Sequence, residues 1–260
     1  MIDFHTHIIP NIDDGSKSIE ETFELIKEAK NAGFDKIIST SHYMEDYYEV
    51  VKSDRKAWID AITKTLDTQN FNMNLYLGNE IYISSNIVKL IQEQKACTIN
   101  NTNYVLFELP LNTDKPLNLY DIIYELLENK YIPILAHPER YLFVQKNPDI
   151  IFDLIQIGVL MQSNFGSFIG QYGKKAKIIA EKLLQNDMVH FLGSDVHRQN
   201  TIYKKIPQII KQLELIIGNE KLEEITSLNP TKVLQNMKIE IQEPKKIKLS
   251  LKEKIKLSLN

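Results

Sequence analysis

The chain has a single cysteine, a single tryptophan, and no apolar run approaching the ~20 residues needed to span a bilayer. A lone Cys97 cannot close an internal disulfide, so a disulfide-stapled secreted scaffold is excluded. A Cys-rich zinc module and an iron–sulfur site are excluded for the same reason. Glycine and proline number nine each in 260 residues, which sets aside collagen-like and low-complexity chains. No excess of positive charge is present: 31 basic against 34 acidic residues give a net charge of −3, and no nucleic-acid partner is expected. The opening Met1-Ile2-Asp3-Phe4-His5 has no basic stretch followed by an apolar one, so no secretory signal is read and a cytoplasmic location is expected. What is present, 43% hydrophobic and 25% charged residues, is ample for a globular core.

Short apolar runs alternate with amphipathic stretches. Strands are expected at Met1–Phe4, Lys36–Thr40, Met73–Leu77, Tyr104–Leu109, Ile132–Ala136, Val159–Ser163 and Val189–Gly193, all rich in branched or aromatic residues. Ser18-Ile-Glu-Glu21 is a capping-box pattern for a helix ending near Gly33. Trp58, Ile62 and Leu66 mark the apolar stripe of a second helix. Leu119–Lys130, Pro148–Ile157 and Lys174–Asn186 supply three more, and the chain past Asn200 reads as helical. Seven strands alternating with helices predict a parallel α/β architecture. No Gly-x-Gly-x-x-Gly follows the first strand, which removes the usual dinucleotide site. Pattern alone does not separate an open sheet from a barrel. The expected division is an α/β barrel over residues 1–237 and a basic tail over 238–260. The tail carries Lys-Ile-Lys-Leu-Ser-Leu twice, with a strand-like alternation. It reads as a frayed terminus, or as an edge strand or a basic membrane-surface tether.

Five of the six histidines fall at predicted strand ends: His5 and His7 after the first, His42 after the second, His137 after the fifth and His197 after the seventh. Carboxylates occupy the same positions: Asp13 and Asp14 in the first loop, then Glu80, Glu108 and Asp195. In a parallel barrel these ends meet on one face, where active sites sit. So many carboxylates on one rim need cations, and imidazoles with carboxylates and no thiolate suit Mn, Fe or Zn. His190, inside its strand, reads as a core or supporting histidine.

The opening His-Thr-His, Ser-Thr-Ser-His at 39–42, Gly-Asn-Glu at 78–80, Phe-Glu at 107–108, Ala-His-Pro-Glu-Arg-Tyr at 136–141 and Gly-Ser-Asp-Val-His at 193–197 resemble the polymerase-and-histidinol-phosphatase (PHP) superfamily. Within it they are most similar to bacterial capsule and exopolysaccharide tyrosine-protein phosphatases, in order from Met1 to about Pro230. The resemblance implies a distorted (β/α)7 TIM-like barrel with three divalent metal ions, manganese first among Mn, Fe, Zn, Co and Mg. It implies His5, His7, Glu80 and Asp195 around one ion, and Glu80, Glu108 and His137 around a second. Asp14, His42 and His197 would hold the third, with Asp13 as the alternative to Asp14. With four carboxylates, three such ions leave a surplus of positive charge that suits a phosphate dianion. Arg140 would clamp nonbridging phosphate oxygens, or else form a salt bridge to Glu139 or a neighbouring loop. Some relatives carry a further arginine several residues past the last histidine; here position 202 is Ile and only Arg198 stands nearby. Tyr43, Tyr47 and Tyr48 could wall an aryl phosphate or simply pack. The implied activity is hydrolysis of phosphotyrosine on proteins, a capsule-assembly tyrosine kinase being the implied partner. A small-molecule phosphatase of the histidinol-phosphate type is the alternative. Cys97 does not fit a cysteine-dependent mechanism, because the Arg of Cys-x5-Arg is Asn103 here.

Overall fold

The computed structural model describes residues 1–258. Among the described residues nine strands are present, all pairing in parallel: β1 (Ile2–Thr6), β2 (Lys36–Ser39), β3 (His42–Tyr43), β4 (Asn74–Leu77), β5 (Glu80–Tyr82), β6 (Tyr104–Glu108), β7 (Ile132–Ala136), β8 (Leu160–Asn164) and β9 (Phe191–Gly193). They lie in the orders β1-β2-β4 and β3-β5-β6-β7-β8-β9. The seven expected strands are all there, two of them interrupted. Thr40–Ser41 separates β2 from β3, and Gly78–Asn79 separates β4 from β5. Main-chain bonds carry the pairing through the breaks: the Thr40 amide donates to Thr6 at 2.8 Å, and the Glu80 amide to Thr40 at 2.7 Å.

The ring closes where β9 meets β1. The Asp195 amide donates to the His5 carbonyl at 2.8 Å, and the His7 amide to the Val196 carbonyl at 3.1 Å. The fold is thus a distorted seven-stranded α/β barrel. Alternating side chains converge in one apolar cluster, among them Ile2, Phe4, Ile38, Leu106, Ile134 and Phe191, with Phe4 stacked on Phe191 at 4.2 Å. That packing holds the strands together below the rim where the polar residues emerge.

The helices are α1 (Ile19–Asn31), α2 (Lys52–Thr68), α3 (Ile87–Gln92), α4 (Leu119–Glu128), α5 (Leu142–Lys146), α6 (Asp149–Gln156), α7 (Phe165–Phe168), α8 (Lys174–Gln185), α9 (Ile206–Glu223), α10 (Asn229–Leu234) and α11 (Leu251–Ser258). Ser18 caps α1 by accepting from the Glu21 amide at 3.2 Å. The Glu21 carboxylate accepts from the Lys17 amide at 2.8 Å, one residue beyond the amide a capping box would use.

Two local expectations are corrected. In α2 the buried face is Arg55, Ile59, Ile62 and Leu66; Trp58 lies off it, 39% exposed. Apolar spacing of four residues could not reveal that a guanidinium shares the inward face. The tail is no strand over its described residues. Residues 238–250 have no regular structure, Ile239 is buried in the apolar cluster, and α11 follows. Alternating Lys and Leu there also allows an amphipathic helix, anchored as Glu253 pairs with Lys182 of α8 at 3.0 Å. Among the described residues no helix is long and apolar enough to cross a membrane.

Gly193 marks the closest approach in the closure: a Cβ there would lie 2.5 Å from the His5 Cβ and 2.9 Å from its amide nitrogen. Gly193→Ala is therefore expected to force β9 from β1, lowering stability by about 1–3 kcal/mol in urea unfolding. A wild-type unfolding midpoint in that variant would show that the two strands are not so tightly apposed.

Candidate metal centre

Strand ends deliver the polar residues to one rim. His5 lies near the end of β1 and His7 just past it; His42 and Glu80 open β3 and β5; Glu108 closes β6. His137 directly follows β7, while Asp195 and His197 follow β9. His137 (φ 33°) and Asp195 (φ 52°) occupy the left-handed region, which is uncommon for residues with side chains and recurs at functional sites.

The side chains meet in three overlapping groups. His5, His7, Glu80 and Asp195 form a fully interior one: His5 Nε2 is 3.0 Å from both His7 Nε2 and Glu80 Oε2 and 3.6 Å from Asp195 Oδ1. His7, Asp14, His42 and His197 form the second, with Asp14 Oδ1 3.2 Å from His197 Nε2 and 3.6 Å from His42 Nε2. His42, Glu80 and Glu108 form the third, where His42 Nδ1 is 3.2 Å from Glu80 and 3.0 Å from Glu108. His137 Nε2 reaches the same carboxylates, 2.8 Å from Glu80 Oε1 and 3.9 Å from Glu108 Oε2. All nine expected ligands thus lie on this rim. His42 stands nearer Glu108 than His137 does, a position the sequence motifs did not indicate.

Partners behind the rings decide which nitrogen faces inward. The Gln162 amide nitrogen is committed to Ser163 O and Asn164 Oδ1, so its oxygen accepts from His5 Nδ1 at 2.8 Å. His7 Nδ1 donates to Asp13 Oδ2, also at 2.8 Å. Both Nε2 lone pairs therefore point at each other and at two carboxylate oxygens. Such convergence is repulsive without a cation, and it suits a divalent ion with nitrogen and oxygen ligands.

The electrostatics agree. Burial opposes protonation of His5 and His42, but the charges of Glu80 with Asp195, and of Glu80 with Glu108, outweigh it and raise their pKa values to about 9 and about 10. Burial would lift the Glu80 and Asp195 carboxyls, yet the surrounding imidazoles, and Arg140 beside Asp195, hold both below the usual range. The site demands positive charge, and protons and metal ions compete for it.

Asp13 and Asp14, equivalent in sequence, separate in space. Asp13 is buried with both oxygens occupied, Oδ1 by the Gly15 amide and Oδ2 by His7 Nδ1 and the His42 amide. Asp14 is the carboxylate that faces the histidines. Arg140 pairs with Asp195 Oδ2 at 2.7 Å, not with Glu139, and its guanidinium lies 4.3 Å above the Tyr172 ring. Glu139 turns inward to accept from the Asn164 amide and the Ser167 hydroxyl. Asn164 Nδ2 also donates to Asp195 Oδ2 at 2.7 Å, leaving Oδ1 to the histidines. Beside this pair opens a cavity of about 190 Å³, lined by Arg140, Tyr172, His197, Arg198 and Thr201 among others. Arg198 donates to the carbonyls of Gly15 and His197. Of the three tyrosines, Tyr48 stands 5.9 Å from the His42 ring, Tyr43 is buried in the core and Tyr47 points outward. His190 is a core residue: its Nδ1 accepts from the Met161 amide and burial lowers its pKa to about 3. Sequence reasoning missed Gln162, Asn164, Tyr172 and Arg55; Gln162 lies within β8 and Asn164 ends it, at the strand end that carries no histidine or acid.

Comparison with known proteins places the chain among relatives. The profile of a family described as "Capsular polysaccharide synthesis, CpsB/CapC" matches residues 1–235. CapC of Staphylococcus aureus is 32% identical over 85% of this chain and 93% of its own length. The tyrosine-protein phosphatase YwqE of Bacillus subtilis is 29% identical over 95% of this chain and 97% of its own. A chain from the crystal structures of YwqE and of Streptococcus pneumoniae CpsB, described as metal-dependent tyrosine phosphatases, superposes with a TM-score of 0.88 at 29% identity, covering 96% of this chain and 100% of that one. A histidinol phosphate phosphatase from Lactococcus lactis, at 14% identity, TM-score 0.54 and coverage of 82% and 93%, shares the fold.

Chelation should expose the charge demand of this rim. A histidine whose pKa is raised on folding contributes stability below its unfolded pKa of ~6.5 and loses it as pH rises through the folded value. Protein stripped of divalent ions is thus expected to melt below the manganese-loaded form, with a wider gap at pH 9.5 than at pH 7. Calorimetric melting at the two pH values checks this. Equal melting temperatures after verified metal loss would mean that the rim does not hold cations.

Proposed function

The chain belongs to the CpsB/CapC family of capsular polysaccharide synthesis, and from that membership we propose that it is a metal-dependent phosphoesterase acting on phosphotyrosine in proteins. The observation that carries this reading is the meeting of three nitrogen-and-oxygen donor groups beside an arginine and a small open cavity. In the proposed assignment His5, His7, Glu80 and Asp195 hold one divalent ion, Glu80, Glu108 and His137 a second, and Asp14, His42 and His197 a third. Manganese is the first candidate, with Fe, Zn, Co and Mg behind it. Ions so placed would supply Lewis acidity toward phosphoryl oxygens and make a bound water acidic near neutral pH.

The protein's own residues do the rest. Glu80 offers its two oxygens to different histidines, Oε2 to His5 and Oε1 to His137, and so would be able to serve two ions. Asp13 and Gln162 keep the His7 and His5 rings in the tautomer that presents Nε2. Arg140 spends Nη1 on Asp195 and has further N–H groups for the nonbridging oxygens of a phosphate in the adjoining cavity. Tyr48, beside His42, offers a face for the aryl ring of the substrate. The substrate class is a phosphotyrosine-bearing protein, with a capsule-assembly tyrosine kinase as partner, and the location is cytoplasmic. Residues 1–237 form the catalytic barrel and 238–260 an appended tail. Turnover of a phosphotyrosyl peptide well above that of histidinol phosphate is the expected result; the reverse order would replace this substrate class with a small phosphate ester.

Two variants check the chemistry. Arg140→Ala should lower turnover on the order of 10²-fold, since cations share the charge that an arginine alone would stabilise by more. Arg140→Lys should recover little, because an ammonium cannot make the paired contact. Because Arg140 also holds Asp195, metal content should be normal only at saturating manganese. Undiminished turnover in Arg140→Ala would leave Arg140 as a structural partner of Asp195. Cys97 is buried, its amide donates to Asn79, and burial raises its pKa to about 11, so Cys97→Ser should retain most activity in an aryl phosphate assay. Near-total loss with metal still bound would overturn a metal-based mechanism.

A further inference from the structure

Among the described residues Arg55, near the start of α2, is one of the largest fully buried side chains, and it forms no ion pair with a carboxylate. Burying an unpaired cation is costly, and a guanidinium does not escape by losing its proton. Its donors go to main-chain carbonyls: Nε to Val50 at 2.6 Å, Nη1 to Ser41 at 3.0 Å and Nη2 to His42 at 2.6 Å. The last two belong to the point where the second barrel strand breaks and restarts as β3. Asn79 adds a second donor to the Ser41 carbonyl at 2.7 Å. On the other side, the His42 amide donates to Asp13 Oδ2, the same oxygen that holds the His7 ring. The His42 main chain is therefore clamped at both its amide and its carbonyl. Its imidazole lies among three carboxylates, Asp14 on one side and Glu80 with Glu108 on the other. A planar fork reaching three carbonyls is a geometry that lysine does not reproduce.

We propose that Arg55 is a positioning residue for the metal centre, setting the affinity of the donor group that His42 forms with Asp14 and His197; this rests on the metal-dependent reading above. The cost of burying the charge is offset by locking a strand break that would otherwise let His42 drift. Groups behind a ligand commonly change metal affinity 10–100-fold, and that range is expected here.

Manganese binding to the full chain, followed by chelator competition and by the Mn²⁺ electron paramagnetic resonance spectrum, tests this. Arg55→Lys and Arg55→Gln should each weaken one class of manganese site 10–100-fold and leave the remaining sites near wild type. Arg55→Gln, which keeps a donor without the charge, provides a second background if the lysine variant does not fold. Ile62→Ala, on the same buried face of α2 and part of the apolar core, is the control for a general loss of stability. Wild-type affinity at every site in a folded Arg55 variant overturns the proposal. So does weakening of the same site, to the same extent, in Ile62→Ala. His42→Ala separates the two levels: if it leaves all manganese binding unchanged, the metal reading itself fails, and the proposal with it.

Discussion

A carboxylate with almost no access to water, Glu80, is the constraint around which the rim is arranged. Its oxygens meet His5, His7 and His42 on one side and His137 on the other, all within 3.3 Å. Alone in that place the charge would be prohibitive, and it persists because positive charge is supplied from several strands at once. The breaks in β2/β3 and β4/β5 follow from this. They let Thr40–Ser41 and Gly78–Asn79 leave the regular ladder, so that His42 and Glu80 begin new segments aimed at the same point.

Around that centre lies a second set of polar contacts, made from behind the rim. Gln162, Asn164, Asp13, Arg140 and Arg55 each hold a rim residue by its far side. Their common effect is to fix which atom of each imidazole or carboxylate faces inward. Asp195 shows the division clearly: Oδ2 takes Arg140 and Asn164, while Oδ1 turns toward the histidines. An arginine engaged this way is tied to the rim's geometry and to its charge together. That dual engagement explains why its partner is Asp195 and not the adjacent Glu139, which is occupied below the surface.

Much of this was legible in the sequence because chemistry and periodicity coincide. His5, His137 and Asp195 follow apolar runs too short and too branched to be helices, so strand-end placement could be read directly. The interrupted strands were not legible, since Gly78-Asn79 and Thr40-Ser41 look like ordinary strand ends. Asp13 and Asp14 could not be told apart because adjacent residues differ only in direction, which the Gly15 turn decides. Gln162 and Arg55 escaped notice for opposite reasons. A neutral amide inside a strand carries no chemical signal, and an arginine in Ser-Asp-Arg-Lys looks like part of a solvated helix face. The tail misled because alternation of Lys with Ile and Leu satisfies two periods over so short a length.

The closure of β9 on β1 has a consequence for how the molecule comes into being. His5 and His7 at the end of β1 face Asp195 and His197, which lie about 190 residues later in the sequence. In the folded protein β1 pairs with β2 on one side and meets the end of β9 on the other. Such long-range pairing is slow, because chain entropy must be lost before the contacts repay it. The rim is therefore complete only once the last strand of the barrel has joined the first.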